Sequence, residues 1–426
     1  MGNFLLFITN LAFPFAALGV LLGFVFSPRR RVLKTLKQEL KERFALEDPS
    51  LIPQGALWVH CASVGEVKSV AGLLKRLKTF YGKELLVTTS TAAGKAEAEK
   101  NPDIAKALLV PLDFYPNARR FLRAAKPYRL FIVEREIWPN MIAAAENEGV
   151  PVILLNARIS RKSTKAYAYV RPLFKMLFGR VALACMQDAD AAARYKTLGL
   201  PRERMRICGN VKYDTLNDTP AKLKEAQALL KQLGWEKAPV LVCGSTHPLE
   251  EELILKAAPK WAEEGIKIIF APRHLERKEE IKAALSVQPL AYALVSEKKR
   301  PKNCVLLCAD VMGLLQSLYA VGRLAFVGGS IAPRGAHNLL EPAILGKTVL
   351  FGKSFHHTPD VAHALLSAGG GVLVDEENLE RTVLRLFKDP AALENMAAKA
   401  RLTALKFKGA TQKTMEAVEN YERKSA

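Results

Sequence analysis

The chain has 426 residues, half of them hydrophobic and a quarter charged, with six cysteines and a formal net charge of +21. That length exceeds one ordinary core and the composition excludes a disordered chain. Cysteines 61, 185, 208, 243, 304 and 308 form no CxxC pair, which argues against a disulfide framework or a zinc site and for reduced, buried thiols. The positive charge points to a polyanionic partner: nucleic acid, an anionic membrane surface or a phosphate-rich substrate.

Residues 4–26, FLLFITNLAFPFAALGVLLGFVF, carry no charge. As a helix this stretch would rise roughly 34 Å, enough to cross a hydrocarbon core with some tilt. Arg29, Arg30 and Arg31 follow it, whereas a signal peptide places its positive charge first. The expectation is a membrane anchor over 1–27, with the rest of the chain on the cytoplasmic side. The next stretch, RRRVLKTLKQELKERF, has an apolar stripe among many basic residues. It reads either as a helix packed on the following domain or as one lying on anionic lipid.

From residue 56 short apolar runs alternate with helical patterns. ALWVHCA (56–62), ELLVTTS (84–90), ALLVPLD (107–113), YRLFIVE (128–134), VPVILLN (150–156) and VALACMQ (181–187) predict strands. They are continuously apolar, as parallel strands covered on both faces are. Residues 212–238 interrupt the rhythm. It restarts with PVLVCGS (239–245), IKIIFAPRH (266–274), CVLLCAD (304–310), RLAFVGGS (323–330), KTVLFGK (347–353) and GGVLV (370–374). The pattern predicts two doubly wound α/β domains, 28–215 and 216–426, with ligand sites at the carboxyl ends of the strands and a cleft between them.

Chemistry-bearing residues stand where strands hand over to helices. In CASVGE (61–66), Ser63 and Glu66 have capping-box spacing, yet a carboxylate there can also accept a proton from a bound hydroxyl. The two roles compete for one side chain. The expectation is that Ser63 and the strand end cap the helix while Glu66 turns toward an acceptor. VEREIWPN (133–140) brackets Arg135 with Glu134 and Glu136 at another strand end. In GNVKYD (209–214), Lys212 falls near the presumed interdomain hinge. In the second half, APRH (271–274) ends a strand with Arg273, suited to an anion. Gly328-Gly329-Ser330 permits close backbone approach to a phosphate, and Asn338 to Glu341 starts a helix, with Glu341 suited to ribose hydroxyls. No GxGxxG or Walker motif is present.

Taken in order, CASVGE, VEREIWPN, NARIS, GNVKYD, GSTH, APRHLER, MGLLQSLYAVGRLAFVGGS and GAHNLLEPAILGKTVLFG resemble the Kdo transferases. These enzymes move 3-deoxy-manno-octulosonic acid (Kdo) from CMP-Kdo to a lipid A precursor. The resemblance runs from about residue 4 to about residue 400. It implies a GT-B fold, two Rossmann-like doubly wound domains with an interdomain cleft preceded by an N-terminal membrane-anchor helix, and neither metal nor other cofactor. It implies Glu66 as general base, with Glu134 and Lys212 supporting the transition state. It assigns CMP to Pro272 and Arg273, to Gly313, Leu314 and Leu315, and to Asn338, Leu339, Leu340 and Glu341. Two positions depart from the family pattern: Arg135 replaces a threonine beside Glu134, and FHH (355–357) replaces an aromatic-rich stretch.

The expected reaction is a single displacement that inverts the anomeric centre, with negative charge growing on CMP. The expected partners are CMP-Kdo, a lipid A precursor (lipid IVA) and the anionic surface of the inner membrane, with no nucleic acid beyond the CMP moiety. Within the same fold, another nucleotide-sugar glycosyltransferase or a sugar-nucleotide epimerase is the alternative. In a different class, the charge alone suggests a membrane-anchored polyanion-binding protein, but no nucleic-acid-binding signature accompanies it.

Overall fold

The computed structural model describes residues 7, 10 and 33–425, except 217, 298, 299 and 302. The apolar stretch 4–26 therefore lies, apart from Phe7 and Asn10, outside the described residues, and the expected anchor with it. Among the described residues no helix is long and apolar enough to cross a membrane. The helix Leu33–Arg43 packs toward the third strand of the first sheet: buried Glu42 accepts the Leu109 amide at 2.6 Å and pairs with Lys95.

The chain divides into two compact units, Met1–Thr215 with Lys408–Ala426, and Leu216–Phe407. The first holds β1 (Leu57–Cys61), β2 (Leu85–Thr89), β3 (Ile104–Leu109), β4 (Arg129–Val133), β5 (Val152–Ala157), β6 (Val181–Met186) and β7 (Met205–Ile207). They form one sheet in the order β3-β2-β1-β4-β5-β6-β7, and every pairing is parallel. Alternate strand residues serve two cores. Trp58, Leu86, Leu130, Ile132 and Leu154 face one side; Val59, Val87, Phe131, Val133 and Ile153 face the other.

The second unit holds β8 (Val240–Thr246), β9 (Lys267–Pro272), β10 (Tyr292–Leu294), β11 (Leu306–Cys308), β12 (Leu324–Val327), β13 (Thr348–Phe351) and β14 (Gly371–Leu373). Its order is β10-β11-β9-β8-β12-β13-β14, again parallel throughout. Each sheet thus reverses direction once, between β1 and β4 in the first and between β8 and β12 in the second. At such a switch point the neighbouring crossovers part to opposite faces and leave a crevice outside the strand ends.

Two strands escape the apolar-run pattern, β7 and β10. Each is three residues long and lies at a sheet edge, so neither needs a continuous apolar run. The alternation also predicts that everything after residue 215 lies in the second unit. Instead the helix Ala410–Ser425 returns to the first, where Met415 and Val418 join the core beside Cys208 and Val211. Asp214 caps its start, accepting the amides of Gly409, Ala410 and Thr411, and Arg129 holds Glu422 near its end through two hydrogen bonds of 2.9 and 2.8 Å. All six cysteines are unbridged and buried.

Candidate active site

In the first unit, the switch point carries acids. β1 ends at Cys61, and Ser63 starts the helix Val64–Tyr81 as its N-cap, its hydroxyl accepting the Glu66 amide at 3.4 Å. The Glu66 side chain does not turn wholly away, as expected, but folds back over the strand end. Its Oε2 accepts the Ala62 amide at 2.6 Å, one residue before the position a capping box would use. Its Oε1 has no hydrogen bond among the described residues. Glu66 is 9 % exposed. Burial raises its pKa to about 7; the Ala62 amide opposes this, Glu134 and Glu136 add to it by like-charge repulsion, and Arg135 lowers it.

Glu134 follows β4 directly and adopts a left-handed φ of 60°. Asn156 at the end of β5 does the same, at 53°. Such backbone costs roughly 1–3 kcal/mol per residue and is held by its surroundings. The Glu134 amide donates to Leu155 O at 2.9 Å, and Arg158 clamps the carboxylate, its Nε donating to Oε2 at 3.0 Å. Arg158, in the NARIS stretch, is thus the partner of Glu134, a role no spacing rule revealed. Glu136 accepts the Trp138 indole N–H at 3.0 Å.

Lys212 sits on the short 3-10 helix Val211–Thr215, which packs on the helix Val64–Tyr81. Asn156 Oδ1 accepts the Val211 amide and Asn210 Nδ2 donates to Gln187, which pins this turn to the carboxyl ends of β5 and β6. Lys212 itself is exposed, with no ion pair among the described residues.

In the second unit, the expected phosphate cradle is already filled. The amides of Gly329, Ser330, Ile331 and Ala332 all donate to the Glu250 carboxylate, at 2.8, 3.0, 2.9 and 3.3 Å, and His247 N joins them at 3.1 Å. A concave row of amides takes a carboxylate as readily as a phosphate, and here the chain supplies its own. The glycines serve this packing: a Cβ on Gly328 would lie 2.3 Å from Ser245 O.

The donor residues assigned by resemblance stand along the carboxyl edge of this sheet. Pro272 closes β9 and Arg273 follows it, exposed. Gly313, at φ 78°, precedes buried Leu314 and then Leu315, which opens a helix after β11. Asn338 Oδ1 accepts the Leu340 amide at 3.2 Å and its Nδ2 donates to Glu341 at 3.2 Å; Leu339 and Leu340 are buried. Between these groups stand residues the motifs did not assign. His247 and His337 stack with rings 6° apart and face each other Nε2 to Nε2 at 3.1 Å, and His274 meets His247 edge-on. One of the facing nitrogens must donate and the other accept, so at least one ring is neutral. Burial, with Arg273 and the neighbouring histidines, pushes His337 down to about 4. Arg334, exposed in the loop after β12, also lowers His247. The positive charge of this basin comes from Arg273 and Arg334 rather than from the histidines, and it suits an anionic ligand.

Two parallel doubly wound units, each with a crevice at its switch point, give the chain an architecture of GT-B type. A glycosyltransferase from Rickettsia africae shares the fold, with a TM-score of 0.59 over 87 % of this chain and 98 % of that one at 11 % identity. Residues 38–215 match the model of the 3-deoxy-D-manno-octulosonic-acid transferase (kdotransferase) family. The chain is 29 % identical to the 3-deoxy-D-manno-octulosonic acid transferase of Haemophilus influenzae, over 93 % of this chain and 92 % of that protein. It is 30 % identical to the enzyme of that name from Chlamydophila psittaci, over 89 % and 88 %. The chain belongs to the Kdo transferase family and is a glycosyltransferase.

Proposed function

We propose that this glycosyltransferase moves Kdo from CMP-Kdo to a lipid A precursor of the lipid IVA type, at the cytoplasmic face of the inner membrane. The observation that carries the reading is Glu66: a nearly buried carboxylate at the β1/β4 switch point whose pKa lies near 7. A general base works best when its proton affinity matches the operating pH. Glu66 takes the proton of the acceptor's sugar hydroxyl through Oε1 as that oxygen attacks the anomeric carbon. The bond to CMP breaks as the new bond forms, which inverts the centre. In this reading Glu134, whose carboxylate Arg158 clamps, and Lys212 support the transition state. CMP takes the second unit's basin, where Arg273 and Arg334 meet the phosphate. The amides of residues 329–332 play no part, because Glu250 holds them.

Two bulk features agree with an amphiphilic, phosphorylated acceptor: the uncharged stretch 4–26 and the net charge of +21. Glu66→Gln tests the reading. The variant is expected to fold, to bind CMP, and to lose transfer by on the order of a hundredfold or more. Near-normal turnover would rule out Glu66 as the base. CMP is expected to raise the unfolding temperature where UDP does not, and the reverse would point to another nucleotide-sugar enzyme. Mass spectrometry of the product from CMP-Kdo and a tetra-acylated lipid A precursor identifies the acceptor and counts the sugars added.

A further inference from the structure

Behind the acids lies a histidine that the reaction above does not use. His60 is the fourth residue of β1, in register with Thr88 on β2 and Ile132 on β4, and is fully buried. Its Nδ1 lies 3.1 Å from the Thr88 hydroxyl. The same hydroxyl accepts the Trp58 indole N–H at 2.9 Å. An indole N–H can only donate, so one lone pair of Thr88 is committed to Trp58.

The Thr88 proton then decides the tautomer of a neutral His60. Directed at Nδ1, it satisfies both groups and leaves the imidazole proton on Nε2. The reverse arrangement would leave a buried hydroxyl proton without an acceptor and aim an imidazole lone pair at a carboxylate, both costly. That carboxylate is Glu136, whose Oε2 lies 3.8 Å from Nε2. Nε2 has no hydrogen-bond partner among the described residues and is sealed from solvent. The distance is too long for a hydrogen bond, but contacts of this kind commonly tighten when substrate binds. Trp138 completes the frame: its indole N–H holds the same Oε2 at 3.0 Å, and its ring stands edge-on to His60 at 5.2 Å.

We propose that His60, locked by Thr88 in its Nε2–H tautomer, is a positioning residue that fixes the Glu136 carboxylate and the Trp138 ring beside Glu66. The proposal rests on the reading of Glu66 as the base. The consequence is electrostatic. Facing the Nε2–H of His60, the Trp138 N–H and Arg135, Glu136 stays below the usual carboxylate range against its burial. After burial, this negative charge and that of Glu134 help to keep a proton on Glu66 up to neutral pH. The groups facing Glu66 are the Ala62 amide, Glu134, Arg135 and Glu136; those facing Glu136 are His60, Trp138 and Arg135. Arg158 meets Glu134 from the residue after β5, and the Cys61 thiol, raised by burial and by Glu66, stays uncharged.

Substitution by the two amides tests the tautomer, because a glutamine NH₂ stands near the place of Nε2–H and an asparagine NH₂ near that of Nδ1–H. His60→Gln is expected to keep kcat within about threefold, and His60→Asn to lose about tenfold or more, with KM for CMP-Kdo unchanged in both. Glu136→Gln, which keeps an acceptor for Trp138, is expected to move the acid limb of the kcat profile down by roughly half a pH unit, since a like charge beside the base is gone. Nitrogen-15 spectra of histidine-labelled protein at pH 8.5 read the tautomer without activity, with the proton on Nε2 expected. A proton on Nδ1, equal rates for the Gln and Asn variants, or an unmoved limb in Glu136→Gln would overturn the proposal. Should His60→Asn fail to fold, the spectra and Glu136→Gln decide. Should Glu66→Gln prove active, the base assignment falls, while the spectra still judge the placement of His60.

Discussion

At Glu66, the burial that suits a base also destabilises the fold. A carboxyl whose pKa rises from 4.5 to about 7 on folding binds its proton more tightly in the native state than in the unfolded chain. Its contribution to stability is full below the unfolded pKa and is lost as pH rises from there through about 7, amounting to at most about 3 kcal/mol. Transfer runs the other way: the acid limb of kcat/KM is expected near pH 7, with activity falling below it. Glu66→Gln is therefore expected to unfold at a higher temperature than the parent at pH 8 and at nearly the same temperature at pH 5. Calorimetry at the two pH values checks this. Burial raises the pKa of Glu250 as well, but there a cradle of amides opposes it and makes the carboxylate a structural group. Glu250→Ala strands five buried amides, and a loss of about 3 kcal/mol or more is expected in urea unfolding of the second unit.

Among the elements, the C-terminal helix crosses the boundary that the sequence rhythm suggests. Ala410–Ser425 is amphipathic, but nothing in its pattern says which sheet its apolar stripe covers. The answer lies in Asp214, which caps its start, and in Arg129 on β4, which holds Glu422. Val418→Asp places a charge in the core of the first unit, and a loss of about 3 kcal/mol or more is expected there. The second unit, which this helix does not cover, keeps its own transition, so limited proteolysis during urea unfolding separates the two. The edge strands β7 and β10 make the same point on a smaller scale. An edge strand of three residues is defined by its neighbour's open hydrogen bonds, and no run of side chains announces it.

At the scale of the whole molecule, the proposed reaction gives the net charge and the uncharged N-terminal stretch one purpose. In the proposed reaction the acceptor is a phosphorylated amphiphile, and an enzyme held at the membrane meets it at high local concentration. Deleting residues 1–27 is expected to release the protein from membranes in a flotation assay while leaving transfer to a detergent-dispersed acceptor largely intact. A deletion variant that still floats with vesicles would place the membrane contact in the basic stretch that follows.

Much of this was legible in the sequence. Apolar runs and helical periods are local, so the two βα series could be read directly, as could the acids and the arginine that stand at strand ends. The order of strands about each switch point follows from packing, and that order brings Glu134 and Glu136, at the end of β4, next to Glu66 after β1. Only the tertiary structure decided that Glu66 has its pKa near neutrality, because proton affinity depends on burial and on charges brought from distant parts of the chain. Only it decided that the amides of Gly329 to Ala332 serve Glu250 rather than a phosphate, since an amide cradle has the same sequence whichever anion fills it. In the sequence His60 is one polar residue in an apolar run. Its role rests on Thr88, Glu136 and Trp138, three partners that only the folded chain assembles.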